Sequence, residues 1–324
     1  MQKRDVHHPA VALTILAVLL VVACRSDSPL PGPPAPNGQR AYENLKRQVE
    51  FGPRIPNSRS VNACRRWLLT ELQKQTPNVS TQIFSVANPY ADDTSTPIAA
   101  ALPDTLHFLN LLAHFYPERA VRVVVGAHYD TRPWADQDSG AARDLPVPGA
   151  NDGASGVAVL LELAHALSTW DPGFGVDLVF FDGEDYGRAG DLDYYLMGSR
   201  YFAETMGAYR PQAMFLVDMV GDADLQIPME GYSLHSAPEL THLVQSIAES
   251  LQAPGFIHAP GDTIFDDHIP FLRRGIPAVD LIDFQYDAWH TTRDTPDRCS
   301  PESLESVARV LLATLHRLSG RLPD

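Results

Sequence analysis

Apolar residues recur along the chain at two periods, and the alternation between them outlines an architecture. Residues 39–50, with Tyr42, Leu45 and Val49, carry an apolar stripe near the helical period, as do residues 60–74, with Val61, Cys64, Trp67, Leu68 and Leu72. Residues 79–86 alternate in the manner of a strand, and residues 121–126, 176–181, 213–217 and 278–282 are short apolar runs. Residues 156–168 and 237–251, lying between such runs, read as helices. The last helix opens at Ser300-Pro301-Glu302, a capping side chain followed by proline at the first helical position. Strands that alternate with helices predict an α/β fold: a single globular domain whose mixed, largely parallel central sheet is flanked by helices on both faces. In such sheets the chemistry collects on loops beyond the carboxyl ends of the strands.

The first residues obey a different logic. Lys3 and Arg4 precede an apolar run over 11–22 that ends in Val21-Val22-Ala23-Cys24. A basic start, a short apolar stretch and a small residue before a cut point read as an export signal. The run is shorter than the ~20 apolar residues a membrane-spanning helix needs. Cys24 directly after the small residue looks like a bacterial lipobox, so residues 1–23 are expected to be a lipoprotein signal peptide. The product would be an exported, membrane-anchored lipoprotein facing the periplasm or the cell exterior; a plain secretory signal and a retained anchor are the other readings. Residues 26–38 hold five Pro and two Gly, so 24–38 is expected to be a tether and 39–324 the catalytic domain. Cys64 and Cys299 then lie in an oxidising compartment, either paired or as two small buried apolar residues.

With 44% hydrophobic residues and 3 Cys in 324, the chain is neither disordered nor a disulfide-stapled miniprotein. Asp and Glu number 40 against 25 Lys and Arg, a net charge of −15. That balance argues against nucleic acid as a partner, because phosphate binding needs a basic footprint. It leaves open a cation site, and the acids are placed as such a site requires. The run 121–126 is followed by His128 and Asp130, and a loop then brings Asn151-Asp152-Gly153 into a helix. Residues 176–181 lead into Glu184-Asp185, 213–217 into Asp218, and 278–282 towards Trp289-His290. Taken singly, each of these is ordinarily a turn, a cap or a solvated pair. Jointly, each after its own strand, they form a nitrogen-and-oxygen ligand set that suits zinc. In the Glu184-Asp185 pair, one carboxylate can bind metal while its neighbour stays free to carry a proton.

His128-Tyr-Asp130, Asn151-Asp152-Gly-Ala-Ser-Gly156, Phe181-Asp-Gly-Glu184-Asp185, Asp218 and His290 resemble, in order, the pattern of the co-catalytic zinc aminopeptidases over roughly residues 40–320. More narrowly, residues 266–277 (DDHIPFLRRGIP) followed by Trp289-His290-Thr291 resemble the animal-type zinc glutaminyl cyclases. The segments 128–136, 149–156 and 183–187 are similar to bacterial members of that group. The resemblance implies the zinc aminopeptidase type of fold, one zinc on Asp152, Asp185 and His290, and Glu184 as acid/base. It also implies a hydrogen bond shared by Asp218 and Asp266 and a pocket lined by Trp289. The expected activity is conversion of the N-terminal Gln of peptides to pyroglutamate, with ammonia released. The aminopeptidase scheme instead implies a second zinc on His128, bridging Asp152 and Asp218, and hydrolysis of N-terminal residues. A binding protein that has lost catalysis is a third class, against which the intact Glu184 argues. Two departures stand out: Asp185 occupies a ligand position where the animal cyclases have Glu, and residues 186–200 hold Tyr186, Tyr194 and Tyr195 but no Trp.

Overall fold

Residues 32–93, 98 and 101–322 are described by the computed structural model; the expected signal peptide and residues 24–31 of the tether lie outside them. The first described helix begins at the last residue of the segment read as tether. Asn37 caps the first helix, α1 (Gly38–Glu50), its side chain accepting from the Arg40 N–H. Its own N–H donates to Glu162, and the Arg40 guanidinium grips the same carboxylate at 2.6 and 2.7 Å. The next helix, α2 (Arg59–Gln73), starts from a Ser58 cap.

The strands β1 (Val79–Ala87), β2 (Thr105–Phe115), β3 (Arg122–His128), β4 (Gly175–Phe181), β5 (Ala213–Asp218) and β8 (Ala278–Ile282) form a six-stranded sheet in the order β1-β2-β4-β3-β5-β8. Strands β4, β3, β5 and β8 run parallel, β2 is antiparallel to both its neighbours, and β6 (Ile227–Met229) pairs with β7 (Phe256–Pro260) in a small separate sheet. This is the mixed, largely parallel sheet expected. β2 is an element the apolar pattern does not predict. Its sequence is built on Leu, His, Asn and Phe with no β-branched residue beyond Thr105, so pairing with β1 and β4, rather than local preference, makes it a strand.

Helices cover both faces, as the buried β3 and β5 demand. Val123, Val125, Phe215 and Val217 point into one core with α1, α2, α3 (Ala154–Leu167) and α8 (Pro301–Leu318), whereas Val124, Met214 and Leu216 point into the other. Phe202 of α4 (Met197–Thr205) and Phe271 of α7 (Ile269–Arg273) close that second face. The remaining helices are α5 (Gly231–Ser236) and α6 (Pro238–Ser250). Cys64 and Cys299 are both buried and free, so the reading as small buried residues holds; burial raises the Cys64 thiol to about 12. Among the described residues no helix is long and apolar enough to cross a membrane.

Candidate metal and catalytic site

Every residue singled out from the sequence lies at one end of the sheet. His128 and Asp218 are the last residues of β3 and β5, Glu184 and Asp185 follow β4, and Trp289 and His290 follow β8. Asp152 precedes α3, which starts so close to the strands that only glycine fits. A Cβ on Gly153 would lie 2.6 Å from the His128 carbonyl oxygen, and one on Gly156 2.0 Å from that of Val217.

Two groups of possible metal ligands share Asp152. One is Asp152, Asp185 and His290; the other is His128, Asp152 and Asp218. His290 Nε2 lies 3.3 Å from Asp185 Oδ1 and 3.8 Å from Asp152 Oδ2. His128 Nε2 lies 3.2 Å from Asp152 Oδ1 and 3.1 Å from Asp218 Oδ1. All five residues are buried. Burial would lower the His290 imidazole, but the Asp185 carboxylate and a hydrogen bond to Asp136 outweigh it and push it up to about 9. Burial opposes the charge on His128 too, and there the carboxylate of Asp218 prevails and holds it well above its ordinary value. Both shifts have one cause, the surrounding carboxylates, which favour positive charge at this spot. A divalent cation would supply that charge and leave the rings neutral, as ligands must be. Asp185 Oδ2 is buried with no hydrogen-bond partner, a free donor atom inside the first group. The residues present therefore fit a metal of the nitrogen- and oxygen-binding kind.

The geometry is held by residues whose positioning role the sequence did not show. Asp130 accepts the backbone N–H of Glu184 at 3.1 Å on one oxygen and that of Asp185 at 3.2 Å on the other. Asp294 does the same for Asn151 and Asp152, at 2.8 and 3.2 Å. Arg132, fully buried, donates to Asp185 at 2.8 Å and to Asp136, and Asp136 in turn pairs with His290 Nδ1 at 3.2 Å. His290 itself has φ 53°, a left-handed backbone rare outside glycine, and its ring stacks on Trp289 at 3.9 Å. The Arg132-x-x-x-Asp136 spacing was visible in the sequence, but nothing local marks that arginine as buried.

These side chains open into a cavity of ≈ 380 Å³. Asp152, Asp185, Asp218 and His290 line it together with Glu184 and Asp266, as do the rings of Tyr195, Phe265, Phe284 and Trp289. Tyr195 supplies the aromatic wall from within residues 186–200, whereas Tyr186 is buried elsewhere, against Tyr90 and Trp134. Burial drives the Glu184 carboxyl well above the usual carboxylate range; the charge on His128 opposes this and that of Asp185 adds to it. Asp266 rises in the same way, through burial and then the charge of Asp218. The charge of Asp218 thus reaches Asp266, the partner with which it is expected to share a hydrogen bond. Asp218 Oδ1 is occupied by His128 and the Met219 N–H, while Asp266 Oδ2 is buried and unpartnered.

A largely parallel α/β sheet with imidazoles and carboxylates converging beyond its strand ends is the arrangement of a site suited to metal-assisted chemistry. The comparisons narrow that class. Residues 110–315 match the model of peptidase family M28, and the chain belongs to that family. It is 28% identical to the glutaminyl-peptide cyclotransferase-like protein of Bos taurus over 70% of this chain; the match spans 63% of that curated relative's length. The solved glutaminyl cyclase of Bacteroides thetaiotaomicron superposes with a TM-score of 0.81 at 32% identity, covering 88% of this chain and 99% of that one. A leucine aminopeptidase precursor from the same organism gives the same TM-score and identity over 88% of this chain and 98% of its own.

Proposed function

We propose that this protein is a zinc-dependent glutaminyl-peptide cyclotransferase, converting the N-terminal Gln of peptides or proteins to pyroglutamate with release of ammonia. The observation that carries the reading is Asp266. Its carboxyl lies on the cavity beside Glu184 with one oxygen buried and unpartnered, and neither metal group uses it. A free acceptor there suits a substrate amine, which a peptide-cyclising enzyme must hold as its nucleophile.

Asp152, Asp185 and His290 would hold one zinc. Bound there, zinc supplies polarisation of the side-chain amide carbonyl and stabilisation of the negative charge that develops on its oxygen. Asp218 and Asp266 would orient the α-amine, and Trp289 would cover the glutamine side chain. Glu184, raised by burial and free of side-chain hydrogen bonds, would take one proton as the amine nitrogen bonds to the amide carbon. The same carboxyl would return that proton to the departing nitrogen, which leaves as ammonia. Nitrogen replaces nitrogen on one carbon, so no water is consumed.

A second reading, a two-zinc aminopeptidase, is favoured by the His128–Asp152–Asp218 group. Gln-initiated and Leu-initiated peptides separate the two. Ring closure with ammonia released from Gln peptides supports the cyclase; a freed amino acid from either peptide, without ring closure, overturns it. Export as a lipoprotein anchored through Cys24 belongs to the same proposal, supported by the basic and apolar pattern of residues 3–24. Mature protein free of acyl groups and starting elsewhere than Cys24 would refute the anchor.

A further inference from the structure

The active cavity is lined by acids and, among the described residues, by no lysine or arginine. Immediately beyond it the charge reverses. A second depression of ≈ 530 Å³ shares Leu192 and Phe265 with the cavity, so the two adjoin across a rim made by those side chains. Arg200, Arg273 and Arg274 line it, against Asp193 and Glu204. In a chain of net charge −15, three arginines at one mouth need an account.

Their own contacts leave them short of anions. Arg200 donates to the backbone carbonyls of Asp193 at 2.9 Å and Leu192 at 2.5 Å, and its Nε is buried with no partner. The guanidinium groups of Arg200 and Arg273 both lie near the Phe265 ring, 6.0 and 5.7 Å from its centroid. Burial and then the charge of Arg273 hold Arg200 below its ordinary range. The side chains of Arg273 and Arg274 form no ion pair or hydrogen bond with any described residue, and both are exposed. Three guanidinium groups outnumber the two carboxylates of this groove, and two of them are unpaired, so it favours anionic groups.

Resting on the cyclase reading, we propose that this groove is a binding subsite for the substrate chain beyond the reacting residue, and that it selects peptides with Asp or Glu at their third and fourth positions. The cationic α-amine would enter the acidic cavity while the following residues, at ~3.3 Å each when extended, cross the Leu192–Phe265 rim to the arginines. Arg273 and Arg274 are then specificity-determining residues that never touch the reacting atoms.

The test compares ammonia release by the full-length, zinc-loaded protein from three amidated peptides: Gln-Ala-Asp-Asp-Ala, Gln-Ala-Ala-Ala-Ala and Gln-Ala-Lys-Lys-Ala. At low salt kcat/KM should favour the acidic peptide over the basic one by about three- to tenfold, chiefly through KM, and high salt should erase the difference. Arg273→Glu with Arg274→Glu should invert the order, leaving the neutral peptide within about twofold of wild type. Arg273→Ala with Arg274→Ala, milder for the fold, should abolish the preference without inverting it. Equal rates for all three peptides, or a preference that survives the alanine variant, would overturn the subsite while the cyclase reading stands. If even the neutral Gln peptide is not cyclised, that reading fails first and the subsite falls with it.

Discussion

Replacing Asp130 by Asn tests how the acid/base and the metal ligand are held together. The native carboxylate is buried and gives one oxygen to each of two consecutive N–H groups, those of Glu184 and Asp185. A carboxamide of the same shape has one acceptor oxygen and one NH₂, so either way round it satisfies one N–H and turns a donor towards the other. The loss is a hydrogen bond to a charged acceptor, ~1.5–3 kcal/mol, and the orphaned N–H adds to it, giving about 3 kcal/mol. For a domain of this size that is a melting shift of roughly 6–10 °C. Because the same turn aims Asp185 at the metal group, zinc affinity should fall about 10- to 100-fold, the usual effect of losing a residue that orients a ligand. Thermal unfolding with and without a chelator, and competition for zinc against an indicator dye, measure the two effects. An Asp130→Asn protein that melts and binds zinc like the parent would refute the assignment of Asp130 as the clamp of this turn.

Three further outcomes follow from the site and the sheet. Glu184→Gln should keep its zinc and lose about 10²–10⁴-fold in turnover; simultaneous loss of zinc would make Glu184 a ligand and reverse the roles of the pair. His128→Ala should leave one tightly held zinc per chain, as metal analysis after dialysis would show, whereas a drop from two ions to one would favour the aminopeptidase reading. Asp177 lies between Arg122, His114 and Tyr209, whose hydrogen bonds overcome burial and hold its carboxyl at about 2. A folded-state value below the ordinary 3.8 stabilises the protein above that pH, and the benefit is lost as pH falls towards 2. Asp177→Asn should therefore cost about 2 kcal/mol in urea unfolding at pH 7, and the gap should narrow towards pH 3.

Much of the fold was legible because β3, β4, β5 and β8 are buried on both faces, and such strands must read as apolar runs wherever they occur. The ligand residues were legible for a related reason: each follows one of those runs directly. β2 was hidden because its stability comes from two neighbours distant in sequence, and its leucines fit a helix as well as a strand. Arg132, Asp294 and the positioning role of Asp130 were hidden differently. A buried charge is defined by what surrounds it, and the partners of these three lie up to 143 residues away. Asp266 stood out in the sequence by its double-Asp motif, yet its place on the cavity with Glu184 depends on chain segments some 80 residues apart being brought together.

The helix that starts beside Asp152 has consequences for how this chain can drift. α3 is wedged between the sheet, α1 and α8, and of its residues His165 alone is exposed. A helix with no wet face offers no neutral positions: a smaller residue opens a void, a larger one collides, and a change at Glu162 strands the Arg40 guanidinium. In a scan of all single substitutions, residues 153–167 should stand out as one unbroken intolerant block interrupted at 165. Inherited change in this protein would then accumulate around the cavity rim and the outer surfaces, while the spacing between the metal groups stays where the helix fixes it.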